Sequence, residues 1–249
     1  MKKILIFLLC LNFTAVFAQR AITSGTIEYE VKVNQHRQNE GNEWFQNMKD
    51  RMPQFSVDYY KLSFNNNQSI YTYDRSGDKG GGRGFMSFGR NDKTGNIWYN
   101  NYNDTSFVQT VTLDDVMLFS GKQKKLDWKI FPGENRDIAG FNCRKAQTIL
   151  FDSVYVFVYY TDDIAISGGP MNLNGLPGVI LGVTVPRLFT SWMATAVTLN
   201  APDNKLIAAP SKGKKMKIDE IKTIMESLTK SWGRGSNDWI QRMYWQTFM

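Results

Sequence analysis

Arrangements of residues that could form a catalytic nucleophile with its base are mostly absent from this sequence. His36 is the single histidine and stands in a polar stretch, whereas Cys143 stands in a segment with strand character. A thiol beside an imidazole can act as a nucleophile with its base, but these two contexts do not favour such a pair. The composition excludes clusters of histidine or cysteine that would bind zinc or copper. The sequence also lacks the G-x-S-x-G motif of α/β-hydrolases.

Two pairs of adjacent aspartates, Asp114-Asp115 and Asp162-Asp163, are the candidates for acid–base chemistry or for binding a cation. Adjacent residues in a strand point to opposite faces, so neither pair forms a natural acid–base dyad. In turns, such aspartates more often hold the backbone through short hydrogen bonds. Calcium binding is an alternative, although the ordered ligand spacing of known calcium loops is missing. We therefore assign no catalytic residue, no metal ligand and no cofactor.

The 11 methionines are potential thioether ligands of Cu(I). Met216, Met225 and Met243 fit the apolar faces of predicted helices, which favours a role in core packing.

A glycine-rich segment at residues 80–89 has some similarity to a phosphate-binding loop. It lacks the Gly-Lys-Ser/Thr ending and the strand-to-helix context of that motif. A long hairpin loop explains the glycines better. Its apolar residues Phe85, Met86 and Phe88 would either fold back over the core or offer a patch for a ligand or partner.

Residues 1–18 have the composition of a signal peptide. Lys2 and Lys3 form a basic start, residues 4–16 are largely apolar, and Ala18 precedes the expected cleavage before Gln19. The apolar run is shorter than the about 20 residues that span a bilayer. We therefore predict an exported protein that does not span a membrane.

The charge of the chain is mildly basic. Removal of Lys2 and Lys3 leaves 28 of the 30 basic residues against 23 acidic ones, a net charge of +5. Part of the excess lies in residues 212–217, a run typical of a solvated loop. An exported protein without a recognition motif is not expected to bind nucleic acid. Cleavage also removes Cys10, so Cys143 has no partner for an internal disulfide.

Strand signals dominate the first two hundred residues. In residues 26–34, apolar side chains alternate with polar ones, as in a half-buried strand. The segments follow one another without the helical crossovers that parallel pairing requires, so we predict an antiparallel sheet. The predicted strands are residues 26–34, 55–64, 69–73, 97–102, 107–113, 126–131, 142–150, 154–161, 179–185 and 191–200.

The periodicity changes to that of a helix near the C-terminus. Apolar residues recur every three or four positions from Ile218 to Trp232, with Gly233 as the expected end of that helix. Residues 236–238 could begin a second, shorter helix. We predict one domain over residues 19–249, with residues 213–249 as a helical extension. Its fold is mainly β, a curved, half-barrel-like antiparallel sheet covered by the C-terminal helices.

The run Gly175-Leu176-Pro177-Gly178 predicts a type II turn over residues 176–179, since Pro177 fixes φ and Gly178 accepts positive φ. Together with other segments, this run makes residues 25–181 similar to the GLPGLI family of exported proteins. The segments that carry the resemblance are residues 25–30, 61–64, 69–71, 127–130, 138–146, 160–164, 167–170 and 175–181. One departure is at residues 159–161, where relatives tend to place a tryptophan before the acidic turn.

The resemblance implies export into the envelope of a Gram-negative bacterium, either in the periplasm or on the cell surface, and a largely antiparallel fold. It implies no catalytic residue set. Members of the family often accompany TonB-dependent outer-membrane receptors, which implies such a transporter as a possible partner.

The segment around the GLPG run is the predicted ligand- or partner-binding site, because a constrained backbone that offers donors and acidic groups is common in binding sites. The alternative is that the glycines only let this connection pass close to the sheet. The predicted site residues are Tyr160, Asp162, Asp163, Gly169, Pro170, Gly175, Leu176, Pro177 and Gly178.

These observations predict a non-enzymatic envelope protein that binds an apolar or peptide ligand, or a partner such as an outer-membrane transporter. A curved sheet half-covered by helices leaves a concave face suited to this. One alternative is a hydrolase of peptides or envelope polymers, with Asp162 or Asp163 acting beside Cys143 or a Ser/Thr hydroxyl. The other is a metal-handling protein that uses methionines and carboxylates.

Overall fold

A computed structural model of the chain describes residues 21–41, 43–77, 93–112, 115–231 and 237–249. Several features predicted from the sequence lie outside these residues. They are the signal peptide at residues 1–18, the glycine-rich segment at residues 80–89, Asp114, and the predicted end of one helix and start of the next around residues 232–236.

The described residues form one open sheet of twelve strands. Along the sheet the order is β12-β6-β5-β4-β3-β2-β1-β11-β10-β9-β8-β7. The pairing is antiparallel throughout, except where β12 lies parallel to β6. The strands are β1 Gly25–Asn34, β2 Phe55–Asn65, β3 Gln68–Ser76, β4 Ile97–Asn101, β5 Ser106–Thr112, β6 Val116–Lys122, β7 Lys129–Ile138, β8 Phe141–Leu150, β9 Val154–Thr161, β10 Val179–Val185, β11 Thr190–Thr198 and β12 Lys214–Lys215.

This arrangement confirms the predicted antiparallel sheet, with three differences. The predicted strand at residues 126–131 instead runs over β7, three residues later at its start and seven at its end. Strands β6 and β12 were not predicted from the sequence.

Two meanders, β1 to β6 and β7 to β11, join through the antiparallel pairing of β1 with β11.

Four α-helices accompany the sheet in the described part of the chain. They are α1 Gln35–Gln38, α2 Glu43–Met48, α3 Ile218–Ser231 and α4 Asn237–Phe248. The two C-terminal helices were predicted, and the short α1 and α2 were not. At the start of α3 the Lys217 backbone N–H donates to the Glu220 carboxylate at 2.8 Å, which satisfies one of the N–H groups left without partners at a helix N-terminus. None of the described helices is long and apolar enough to cross a lipid bilayer.

One face of the sheet, here called the inner face, carries the core. In β1 the alternate residues Ile27, Tyr29 and Val31 are buried on it. The Tyr29 hydroxyl donates to the Ile180 carbonyl at 2.6 Å. Bulges between Glu28 and Tyr29, and between Ile180 and Gly182, interrupt the ladder. Such bulges bend strands and increase their twist.

The C-terminal helices cover one end of the inner face. Ile221 and Met225 of α3 are buried in a cluster with Phe107 and Val111 of β5 and Phe119 of β6. Met216 and Met243 are partly buried against the same cluster. Amphipathic helices that seal an exposed sheet face in this way remove apolar surface from water. The structure thus confirms the predicted cover of the sheet.

Candidate functional site

The connection between β9 and β10, residues 162–178, contains most of the predicted site residues and lies across the inner face. Buried Asn100 of β4 donates through Nδ2 to the Met171 carbonyl at 2.9 Å. Trp128 donates through Nε1 to the Asn174 carbonyl at 2.9 Å. Buried backbone carbonyl groups need hydrogen-bond partners. These two side chains supply such partners, so a segment without regular secondary structure can lie in the core. Its buried apolar residues are Ile164, Ile166, Met171, Leu173 and Leu176.

Gly178 allows this connection to pass against the end of β9. A Cβ atom at this position would lie 2.0 Å from the Thr161 carbonyl oxygen. Its φ of +158° is far from the about +80° required at the third position of a type II turn. Residues 176–178 therefore form a bend rather than the predicted type II turn, because the nearby backbone of Thr161 and Asp162 determines the path.

The acidic pair at the start of the connection makes local contacts at the surface. Asp162 accepts from Arg144 Nη2 at 2.7 Å, with 61% of its side chain exposed. The Arg144 guanidinium lies 5.1 Å from the centre of the buried Tyr160 ring. Asp163 accepts from the Thr161 hydroxyl at 3.3 Å, and the Thr161 hydroxyl accepts from the Asp163 backbone N–H. These contacts hold the turn that leaves the strand.

The nine predicted site residues divide into two groups by exposure. The exposed ones are Asp162, Asp163, Gly175 and Pro177, and the buried ones are Tyr160, Gly169, Pro170, Leu176 and Gly178. None of the nine lines the cavity described below, although Met171 from the same connection does.

Cys143 and His36 are not arranged as a nucleophile and its base. The Cys143 thiol is fully buried and donates to the Phe141 carbonyl at 3.4 Å. Burial raises the pKa of Cys143 to about 12, with a smaller contribution from the nearby Asp137 carboxylate, so the thiol is protonated at neutral pH. His36 donates through Nε2 to the Met52 carbonyl at 3.0 Å and packs edge-on against Phe45.

Of the groups considered for a hydrolase, Cys143 is buried and Asp162 is paired with Arg144 at the surface, whereas Asp163 contacts a hydroxyl, that of Thr161. Across the described ranges, no group of three or more His, Cys, Asp or Glu side chains is placed to hold a metal ion.

A cavity of about 310 Å³ lies between the inner face of the sheet and helix α4. Its walls come from strands β1 to β5 and β11, from α1, from residues 93–96, from the 162–178 connection and from α4. The lining residues are Val31, Val33, Gln38, Ser56, Asp58, Tyr60, Tyr71, Lys93, Asn96, Trp98, Val111, Thr112, Met171, Thr190, Trp192, Arg242, Met243, Gln246 and Thr247. This volume falls at the lower end of the range typical of small-molecule sites.

Aromatic side chains form one wall of the cavity. The rings of Tyr60 and Tyr71 are stacked with centroids 5.1 Å apart, and the Tyr71 ring lies 5.6 Å from that of Trp98. Burial raises the pKa values of Tyr60 and Tyr71 well above those of free phenols, so both hydroxyls stay neutral. The wall thus offers apolar ring surface together with uncharged hydrogen-bonding groups.

Buried polar atoms of the wall lack hydrogen-bond partners among the described residues. They are Nε1 of Trp98 and Oγ1 of Thr112. The Tyr71 hydroxyl lies beside the Trp192 indole without the geometry of a hydrogen bond. An unsatisfied buried polar group costs about 1–3 kcal/mol and is rare in folded proteins.

Three charged side chains line the cavity. Asp58 pairs with Lys93, whose side chain is half exposed, and Arg242 contributes a second positive charge from α4.

The sequence alone does not reveal this site, because its residues come from many separate segments. The available signal was the placement of aromatic residues on neighbouring predicted strands, at Tyr60, Tyr71, Trp98 and Trp192. Without the register of the strands, that pattern cannot be distinguished from ordinary core packing.

No family model matches the chain, and no curated protein matches it. Among solved structures, two crystal forms of PNGF-II, in space groups P21 and C2, superpose with a TM-score of 0.51 at 17% identity. They cover 81% and 80% of this chain and 32% of their own. An uncharacterized conserved protein from Thermus thermophilus gives a TM-score of 0.39 at 7% identity, over 80% of this chain and 92% of its own.

The chain spans about a third of the length of the PNGF-II chains that it matches. At this level of identity, the similarity to PNGF-II shows a shared fold alone: the open antiparallel sheet described above also occurs within a much longer chain.

Proposed function

We propose that this protein is an exported, non-enzymatic cell-envelope protein that binds a ligand in the cavity between the inner face and α4. The observation that carries the proposal is the cavity itself. Its aromatic wall offers apolar contact, and polar lining side chains such as Gln38, Asn96 and Gln246 offer hydrogen bonds. Sites for small molecules commonly combine a mostly apolar wall with a few placed polar groups.

The chemistry of the lining favours binding over catalysis. The described lining residues include no histidine, cysteine or glutamate. The lining hydroxyls of Ser56 and Thr190 therefore have no imidazole or thiol beside them within the cavity, and the Thr190 hydroxyl donates to the Leu188 carbonyl at 2.8 Å. The carboxylate of the described lining, that of Asp58, is paired with Lys93. A hydroxyl needs an adjacent base to become a nucleophile.

The envelope location rests on the composition of residues 1–18 and on the resemblance to GLPGLI proteins, which also supports a TonB-dependent outer-membrane transporter as the partner. N-terminal sequencing of the protein from cell fractions tests this location. We expect a mature chain that starts at Gln19, in the periplasm or at the cell surface, and a full-length chain in the cytoplasm would contradict it.

The proposal is tested by mass spectrometry of small molecules that co-purify with the native, exported protein. Val33 lines the cavity and is partly buried, so Val33→Phe should fill part of the space and reduce the bound ligand. Val116→Phe, at a position that is 37% exposed and outside the cavity, is the matched control and should retain the ligand. A wild-type protein that brings down neither a small molecule nor an envelope partner would contradict the proposal.

A further inference from the structure

Strand β9 carries a row of aromatic side chains on the outer face, the side of the sheet opposite the inner face. Buried valines alternate along this strand with Tyr155, Phe157 and Tyr159. Because successive side chains of a strand point to opposite faces, the three rings lie on the outer face. The rings of Tyr155 and Phe157 are nearly parallel, at 15°, with centroids 6.4 Å apart. Tyr155 is 49% exposed, so the row is open to solvent at this end.

Polar side chains of the neighbouring strands border this row. The strand register places Gln147 of β8 and Thr184 of β10 on either side of Phe157, and Lys145 of β8 beside Tyr159. Amide, hydroxyl and ammonium groups therefore lie next to the rings. An open depression of about 370 Å³ lies at the exposed end of the row, lined by Ser153, Tyr155, Phe157, Pro186 and Arg187.

Two cations on this part of the sheet have no paired carboxylate. Lys145 is paired with Glu134 at 2.6 Å, so these two charges balance. Lys129 and Arg136 of β7 are exposed, and neither forms an ion pair with a residue of the described ranges. They lie 5.1 Å and 5.9 Å from the centres of neighbouring rings, a contact that leaves their charge in place. Asp137 follows Arg136 in the strand, so its side chain belongs to the opposite face.

These features together favour a polymer of acidic sugars. The C–H groups of a sugar ring form an apolar face that fits against the electronegative face of an aromatic ring. The carboxylate of an acidic sugar can pair with a guanidinium through two parallel hydrogen bonds. An acidic peptide would bring the charge without the flat apolar face. A lipid surface needs apolar side chains that enter it by about 5–10 Å, whereas Phe157 and Tyr159 are partly buried in the row.

From this charge complementarity and the open row of rings, we propose that the outer face of β7 to β9 binds an acidic polysaccharide. Its sugar rings contact Tyr155 and Phe157, and its carboxylates pair with Lys129 and Arg136. The cavity lies on the inner face of the sheet, so this second binding surface goes beyond the proposed function.

The test uses three ligands of six units each. Hexamannuronate, β-1,4-linked, has sugar rings and carboxylates, mannohexaose has the same rings without carboxylates, and hexaglutamate has carboxylates without rings. Binding of each to the full exported chain is measured by titration calorimetry at low ionic strength. We expect hexamannuronate to bind about tenfold more tightly than mannohexaose, as two surface ion pairs of about threefold each predict. Hexaglutamate should bind more weakly than hexamannuronate.

A pair of double variants assigns the preference for acid to β7. Lys129→Gln together with Arg136→Gln should remove the tenfold preference for hexamannuronate over mannohexaose. Lys214→Gln together with Lys215→Gln is the control, because it removes the same charge from exposed positions of β12, at the opposite edge of the sheet. The control should leave the preference unchanged.

A pair of single variants assigns the contact with sugar rings to β9. Tyr155→Ser should weaken binding of both saccharides by about threefold or more, since the ring contributes apolar contact to each, and should leave binding of hexaglutamate unchanged. Leu206→Ser is the control, at an apolar position that is 63% exposed and lies outside β7 to β10. It should change none of the three affinities.

Equal binding of hexamannuronate and mannohexaose, or absence of binding by both, would overturn the proposal. Binding of hexaglutamate as tight as that of hexamannuronate would also overturn it and indicate an acidic peptide as the partner. Val33 lines the cavity on the inner face, so Val33→Phe should leave binding of hexamannuronate unchanged. The cavity and the outer face can therefore fail independently.

Discussion

The buried side-chain amide of Gln109 donates to the Thr247 carbonyl oxygen at 2.8 Å and so ties strand β5 to helix α4. The same amide accepts from Asn172 Nδ2 at 2.9 Å through its own oxygen. One side chain of β5 therefore joins the strand, the helix and the 162–178 connection. Because Thr247 and nearby Met171 both line the cavity, this amide holds two of its walls in place.

We expect Gln109→Met to destabilise the protein by about 2 kcal/mol, because it keeps the length of the side chain but leaves the Thr247 carbonyl and the Asn172 amide without partners. Amide hydrogen exchange should become faster in α4 than in β8 and β9. Gln147→Met, at a partly buried position on β8, is the control and should change the free energy of unfolding by less than about 0.5 kcal/mol. Unchanged exchange in α4 would show that this hydrogen bond does not hold the helix.

Gly178 should tolerate no side chain. Gly178→Ala places Cβ 2.0 Å from the Thr161 carbonyl oxygen, and the backbone must move to make room, so we expect a loss of about 3 kcal/mol or more in urea unfolding. Gly133→Ala is the control, because Gly133 has a φ of +83° with no atom within 4 Å of the added Cβ. Gly133→Ala should lower the free energy of unfolding by only about 1 kcal/mol, the strain of an alanine with left-handed backbone geometry. Equal effects of the two substitutions would contradict the close approach at Gly178.

Stability should fall in alkaline solution. Burial raises the pKa of Cys143 from 9.0 to about 12, and that of Tyr102 from 10.0 to about 12. Above pH 9 the unfolded chain therefore binds fewer protons than the folded one, so the free energy of unfolding decreases as pH rises toward 12. Urea melts at pH 8 to 11 measure this dependence.

The variant Cys143→Ala separates the contribution of the thiol. In this variant the decline should begin near pH 10, where tyrosines titrate in the unfolded chain, rather than near pH 9. A decline that begins at the same pH in both proteins would contradict the shifted thiol pKa.

Cys143 should also be chemically inert in the folded protein. A thiol that is fully buried and protonated does not present the thiolate that attacks alkylating reagents. We expect iodoacetamide at pH 8 to label the protein completely in urea and at least about 100-fold more slowly in buffer, since reaction requires opening of the structure. Rapid labelling of the folded protein would restore Cys143 as a candidate nucleophile.

Much of the fold could be predicted from the sequence, because the strands are regular and close together along the chain. The alternation of Ile27, Tyr29 and Val31 predicts a half-buried strand, and the spacing of Ile221 and Met225 predicts a helix. Strand β6 lacks such alternation, since Met117, Leu118 and Phe119 are buried in succession. Strand β7 contains Pro132 and Gly133, which signal a break and in fact lie within a bulged edge strand.

The location of the cavity could not be predicted in the same way. The GLPG run predicts a constrained backbone. In the structure the constraint is the close approach of Gly178 to the Thr161 carbonyl group, which leaves no room for a side chain. Trp98 and Trp192 meet at one cavity only because β1 pairs with both β2 and β11 and brings distant strands together. Such pairing depends on the complete sheet and not on any local pattern.

A crystal structure of the protein isolated from its native envelope, without added ligand, would show what occupies the cavity. We expect density for a bound molecule among Tyr71, Trp98, Trp192 and helix α4. Density for a ligand along Asp162, Asp163 and Pro177, with only ordered water in the cavity, would contradict it and place the site on the GLPG connection.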